Sequence, residues 1–160
     1  MTVFAWRIAP DTPDYTADDL TGEGARQSGG RWNRVGTPMV YASGSIALAC
    51  LETIVHLRAG DLPLNRYLVQ IEIPGEVWAA AVQFDAHTNV GWDAIPAGRV
   101  SLDAGETWSN SRSSALLVVP SVIVTEERNI LINPLHADAT RIRAKKLRRW
   151  LYDARLWRAN

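Results

Sequence analysis

One cysteine, three histidines and a formal net charge of zero leave this 160-residue chain with few of the usual handles on function. With Cys50 alone no internal disulfide is available, and its neighbours Ile46-Ala47-Leu48-Ala49 and Leu51 mark it as a small buried residue in a reducing compartment. His56, His87 and His136 are scattered without zinc-ligand spacing, and no EF-hand or P-loop pattern occurs, so no metal is expected. Long apolar runs are missing too: nothing approaches the roughly 18 residues of a membrane span. Met1 to Leu20 carries Asp11, Asp14, Asp18 and Asp19 in place of a basic-then-apolar leader. These absences give the expectation of a cytoplasmic protein without a membrane partner. The balance of 17 basic against 17 acidic residues argues against a globally basic nucleic-acid binder. Repeats and low-complexity tracts are absent as well, which excludes solenoids and propellers.

What is present suffices for a core, since 47% of the residues are hydrophobic, and a single domain over residues 1–160 is expected. Short β-prone runs recur: Val3 to Ile8, Met39 to Ala42, the cleanly alternating Tyr67 to Ile73, Val77 to Phe84 as an antiparallel partner, Ala115 to Val119, Val122 to Val124, and Ile130 to Ile132. Helices are expected in the acidic stretch ending near Arg26, from Ile46 to Leu57 with Leu48, Leu51 and Val55 as one buried stripe, around Leu102 to Ser109, and from Asp138 to Trp150. Many short strands with a few helices and no βαβ alternation predict an α+β domain with an antiparallel-sheet core.

Three side chains stand out for chemistry. Arg31 lies in Gly29-Gly30-Arg31-Trp32-Asn33, where paired glycines favour an irregular backbone and the guanidinium can take an anion bidentately. Tyr41 follows on the next strand, where a tyrosine taken alone is more often a core or cross-strand aromatic than a ligand platform. Glu52 sits between apolar residues on the following helix, where a carboxylate needs a partner. His56 at i+4 is the candidate, although Glu52 beside His56 on a solvent edge explains the spacing as well. Ser-His-Asp chemistry lacks a nucleophile-elbow motif.

Together with Val40-Tyr41-Ala42-Ser43, Ala49-Cys50-Leu51-Glu52, Val119-Pro120-Ser121-Val122-Ile123-Val124 and Glu127-Arg128-Asn129-Ile130-Leu131-Ile132-Asn133-Pro134, the glycine-loop block resembles the RES domain. Ordered blocks from Trp6-Arg7 to Tyr152-Asp153-Ala154-Arg155-Leu156 extend the likeness over nearly the whole chain, in particular to the small ParT-like members. The Arg, Glu and Ser for which the domain is named map onto Arg31, Glu52 and Ser121. The resemblance implies a fold similar to the diphtheria-toxin-like ADP-ribosyltransferases and NAD+ as substrate. It implies a toxin of a type II toxin-antitoxin module, neutralised by an Xre-like antitoxin. It also implies growth arrest, either by ADP-ribosylation of a bacterial protein, a phosphoribosyl pyrophosphate synthetase among them, or by NAD+ degradation through hydrolysis or phosphorolysis.

On that basis Glu52 would stabilise the cation developing at the ribose C1' and accept a nucleophile's proton, as carboxylates do in glycoside chemistry. Tyr41 would stack on nicotinamide, and Arg31 would pair with the pyrophosphate or adenosine ribose. Trp32 would shield the cleft or pack on adenine. Arg7 would give a second cation to the diphosphate, or else be a structural strand-end arginine. Ser121, His56 and Asn133 complete the set of candidate ligand contacts. One departure is that the arginine lies in a glycine loop, whereas the diphtheria-like enzymes open their triad on a strand.

Charge is unevenly distributed. Residues 141–160 carry eight basic side chains against Asp153, a balance of +7 that leaves −7 on the first 140. On an amphipathic helix with Ile142, Leu147, Trp150 and Leu151 inward this makes a basic face, for the antitoxin, an acidic target or the diphosphate. The competing reading is a non-catalytic nucleic-acid module, in which Arg31, Tyr41 and Glu52 have no role.

Overall fold

The computed structural model describes residues 1–58 and 62–157. In chain order the elements are β1 (Thr2–Ala9), α1 (Glu23–Ser28), β2 (Val40–Ser43), α2 (Ile46–Ile54), β3 (Tyr67–Pro74), α3 (Gly75–Ala79), β4 (Val82–Gln83), α4 (Arg99–Ser111), β5 (Leu116–Pro120), β6 (Arg128–Ile132) and β7 (Arg143–Arg149). The strands form one seven-stranded sheet in the order β4-β5-β6-β2-β1-β3-β7. Every neighbouring pair is antiparallel except β4–β5. The fold is therefore α+β on a mostly antiparallel sheet.

Side chains alternate across a strand, so the register assigns each residue to a face. Ala5, Ala9, Val40, Ala42, Val69, Ile71, Ile130 and Ile132 share one face, where Val77 of α3, Ala17 and Ile142 close over them. The opposite face is covered in two separate places. α2 lays Ala49 on Ile8 and Leu68, with Trp6 and Trp150 alongside. Trp32, Met39, Trp92 and Trp108 cover Leu117, Val119 and Leu131. Ser43, which is paired with Trp6 and with Asn129, falls at the seam between those two covers.

Several elements differ from the sequence expectation. The stretch 138–150 is not a helix: a 3-10 turn over Ala137–Arg141 leads into β7, which pairs with β3 along Tyr67 to Glu72. Its apolar positions are too few to bury a helical stripe, whereas the edge of β3 has backbone groups to satisfy. The basic residues consequently alternate about an edge strand, where charge discourages pairing with another copy. Lys146 bonds both oxygens of Asp11 and lies 4.5 Å over the Tyr67 ring; Arg148 lies 4.8 Å over Trp150. Arg158 of the basic set is outside the described residues. Val77 to Phe84 is not one strand: Val77 to Ala79 finish helix α3, and the two-residue strand β4 that follows runs parallel to β5 and not antiparallel. Val122 to Val124 is a turn, because Ser121 Oγ accepts from the Ile123 and Val124 N–H groups at 3.0 and 3.2 Å. In α2 Leu48 is buried, but Leu51 and Val55 are 38% and 57% exposed, so the buried side is Leu48 and Ala49. Cys50 is only partly buried, and that burial pushes its thiol pKa up.

Gly105, within the helix expected around Leu102 to Ser109, is inside α4. A Cβ there would lie 1.8 Å from the Trp32 carbonyl oxygen, so the missing side chain lets α4 seat directly on the loop holding Arg31. Gly105→Ala gains about 1 kcal/mol of helix propensity but forces backbone apart at a cost of about 3 kcal/mol. Net destabilisation is therefore expected in urea unfolding; an alanine variant as stable as wild type would contradict this contact.

Candidate active site

α2 starts at Ser45, whose Oγ accepts from the Leu48 N–H at 3.1 Å. Its apolar side rests on β1 and β3, and Glu52 emerges half-buried toward the seam. Two donors from different strand ends meet one of its oxygens: Ser121 Oγ and Asn129 Nδ2 each donate to Oε1 at 2.7 Å. Behind them Ser43 Oγ donates to Asn129 Oδ1 at 2.8 Å. The partner that Glu52 required is therefore not His56. α2 ends at Ile54, and His56 is exposed in the turn beyond it, so the i+4 alignment is lost.

Tyr41 lies two residues before Ser43 on the same face of β2. Its hydroxyl donates to Asn33 Oδ1 at 2.7 Å and accepts from the Trp32 N–H at 3.0 Å. Asn33, 1% exposed, donates through Nδ2 to the carbonyls of Ala25, Arg34 and Thr37 at 2.8, 3.2 and 3.0 Å. The glycine loop is thus wound around one buried amide and resting on Tyr41. Gly30 is required because a Cβ would come within 2.7 Å of the Tyr41 hydroxyl, and Gly29 because its φ is +68°. Arg31 is held as well: Nη1 donates to the carbonyls of Trp92 and Ala94 at 3.0 and 2.8 Å. Among the described residues Nε and Nη2 make no hydrogen bond, and this is the part of the fork left for an anion.

The RES domain family model matches residues 4–155. The chain belongs to the RES domain family. It is 60% identical over 159 residues, covering 99% of both chains, to a Prs ADP-ribosylating toxin from Sphingobium sp. (strain YBL2). A protein named Toxin Res from Yersinia enterocolitica is 40% identical over 122 residues, 76% of this chain and 79% of that one. A Toxin Res from Pseudomonas putida is 38% identical over 136 residues, 84% and 86% of the two chains. These findings make the chain a RES toxin of the NAD+-consuming ADP-ribosyltransferase class, with NAD+ as its substrate.

In this RES domain Ser121 has no exposure, and its hydroxyl is bonded to Glu52 and to the 121–124 turn. Trp32 is 3% exposed, stacked on Trp92 at 6.1 Å and edge-on to Phe84 at 4.8 Å, which makes it a floor of the loop without an open face for adenine. Arg7 points from β1 to the opposite face from Tyr41, sharing it with Ala5 and Ala9, and Nη1 donates to the Asp19 carbonyl at 2.9 Å. Its burial lowers its pKa, and nearby Asp19 opposes this. Asn133, fully buried, donates to the Ser109 carbonyl at 3.0 Å and accepts from the Leu135 N–H at 3.0 Å. It ties α4 to β6 about 13 Å along the strand from Asn129. Asn129, Ser43 and Asn33 were missed by sequence reasoning, although all three lie inside the family blocks.

Cavities of about 600 and 610 Å³ lie away from Glu52, one against Glu72, Gly75 and Arg141 and the other between β4 and α4 against Phe84 and Trp108. Neither is lined by Arg31, Tyr41 or Glu52. No three His, Cys, Asp or Glu side chains gather as a metal set among the described residues, and no helix there is long and apolar enough to cross a membrane.

Burial raises the pKa of the Tyr41 hydroxyl, against the lowering effect of its bonds to the loop. The folded state thus resists ionisation there, and this stability, complete below the ordinary tyrosine value of about 10, is lost as pH rises beyond it. Tyr41→Phe should cost about 2 kcal/mol at neutral pH by stranding the Trp32 N–H and Asn33 Oδ1. Urea midpoints between pH 8 and 11 should fall less steeply for the variant than for wild type; equal slopes would contradict the buried hydroxyl.

Proposed function

We propose that Arg31, Tyr41 and Glu52 form the site at which this RES toxin cleaves NAD+ and transfers ADP-ribose to a bacterial protein. The observation supporting it most directly is that Glu52 is drawn out of an apolar helix and held by Ser121 and Asn129 on the sheet face that also carries Tyr41 and the Arg31 loop. The bond from nicotinamide nitrogen to ribose C1' breaks with its electron pair leaving on nicotinamide. The cation that develops at C1' is stabilised by the Glu52 carboxylate. The acceptor's nucleophile then bonds to C1' and gives up its proton, with Glu52 as the base. The Tyr41 ring presents the stacking surface for nicotinamide, its hydroxyl being occupied by the loop. Arg31, fixed through Nη1, offers Nε and Nη2 to the diphosphate.

Arg7 does not enter this scheme, since β1 directs it to the other face. The Sphingobium relative, named for ADP-ribosylating Prs, supports a phosphoribosyl pyrophosphate synthetase as the target. Growth arrest would follow from that modification. An Xre-like antitoxin is the partner proposed to neutralise the toxin. A non-catalytic nucleic-acid module has less support, because the cations of residues 143–149 lie on an edge strand and are not gathered on one helix face.

Incubation with adenine-labelled NAD+ in bacterial lysate, with and without phosphate, distinguishes the outcomes. Label on a protein band is expected. Free ADP-ribose in its place would show hydrolysis, and ADP-ribose 1''-phosphate would show phosphorolysis. Glu52→Gln should stay folded and lose NAD+ cleavage by at least about 100-fold; a rate near wild type would remove Glu52 from the chemistry. Arg31→Lys should raise the KM for NAD+ about tenfold, because a point charge replaces a planar fork. An unchanged KM would remove Arg31 from the ligand.

A further inference from the structure

We infer that Asn129 is a positioning residue for this reaction, held in place by Ser43, and that it makes Oε2 the working oxygen of Glu52. The inference rests on the reading of Glu52 as the catalytic carboxylate. A carboxylate at the end of a glutamate side chain can present either oxygen, and its outer torsion is soft. Here both hydrogen bonds fall on Oε1, from Ser121 Oγ and from Asn129 Nδ2, each at 2.7 Å. Oε2 has no protein partner among the described residues, so the lone pairs available to a ribose hydroxyl or an incoming nucleophile are those of Oε2.

The two donors differ in what secures them. Ser121 is fully buried, and its oxygen is further fixed by the Ile123 and Val124 N–H groups. Asn129 carries an amide with a donor end and an acceptor end. Turned over, it would set Oδ1 against Glu52 Oε1, acceptor against acceptor. The carboxylate, which can only accept, sets the sense in which Nδ2 faces it, and Ser43, 4% exposed and paired with Asn129 in the β2–β6 register, donates to Oδ1 at 2.8 Å and fixes where the amide sits. A serine on one strand therefore places an amide on the next, and the amide aims a carboxylate on a helix. Misplacement of a reacting group by an ångström is enough to slow a reaction by two orders of magnitude.

The test is steady-state nicotinamide release from NAD+ by purified full-length variants, with thermal melts alongside. Asn129→Ala should lower kcat about 10- to 100-fold with KM unchanged within about threefold, because it displaces the carboxylate without touching substrate. Ser43→Ala should lower kcat about 3- to 10-fold, and Ser43→Thr, which keeps the hydroxyl, should recover most of it. Since Ser43 acts through Asn129, the double alanine variant should be no slower than Asn129→Ala alone. An unchanged kcat for Asn129→Ala, a rise in KM alone, or losses that multiply in the double variant would each overturn the proposal. If Asn129→Ala fails to fold, the Ser43 pair decides, and equal kcat for Ser43→Ala and Ser43→Thr overturns it. Wild-type activity in Glu52→Gln would instead defeat the underlying reading of Glu52, whatever Asn129 does.

Discussion

Glu52 is a carboxylate on an otherwise apolar helix, tied through a single oxygen to Ser121 and Asn129 at 2.7 Å each. A partly buried charge without such donors would be expensive, so the tie is what permits a carboxylate at this point of the fold. It also sets requirements on its surroundings. α2 must rest on β1 and β3 at a fixed depth, and β6 must run beside β2 so that Ser43 can reach Asn129. The 121–124 turn must close so that the Ser121 hydroxyl points back toward the helix. Each is supplied by an element that has its own reason to form: the Ser45 cap, the antiparallel register, and the serine turn.

The glycine loop follows a similar logic by other means. Its shape comes from Asn33, buried and donating to three carbonyls, while Tyr41 supplies the hydroxyl that receives the Trp32 N–H. Beneath it Trp32, Phe84 and Trp92 form an aromatic floor, and Gly105 lets α4 press against the Trp32 backbone. The Arg31 guanidinium is consequently positioned before any ligand arrives, which lowers the ordering cost of binding an anion. A feature that reads in sequence as a flexible Gly-Gly segment is one of the most firmly bonded parts of the face it sits on.

Most strands were legible because alternation and turn residues mark them directly: Tyr67 to Ile73 was expected and β3 is Tyr67–Pro74. β7 was not, since arginine and lysine suit a helix surface and an exposed strand edge equally well, and only the unsatisfied edge of β3 decides between them. Arg7 shows a related limit. Strand parity puts it on the opposite face from Trp6, but which face carries the site depends on the pairing of Trp6 with Ser43, a contact between distant segments. His56 failed as the partner of Glu52 because the helix stopped two residues short of it.

The sequence by itself determined the α+β class, the family, and the three side chains on which the proposed chemistry turns, because these depend on local patterning and on ordered blocks of residues. Tertiary structure alone decided the roles around them: Ser121 and Asn129 as the tethers of Glu52, Ser43 behind Asn129, Asn33 within the loop, and Trp32 beneath it. The physical reason is that hydrogen bonds of a few ångströms join residues dozens of positions apart, and no periodicity along a chain records which strands will lie side by side.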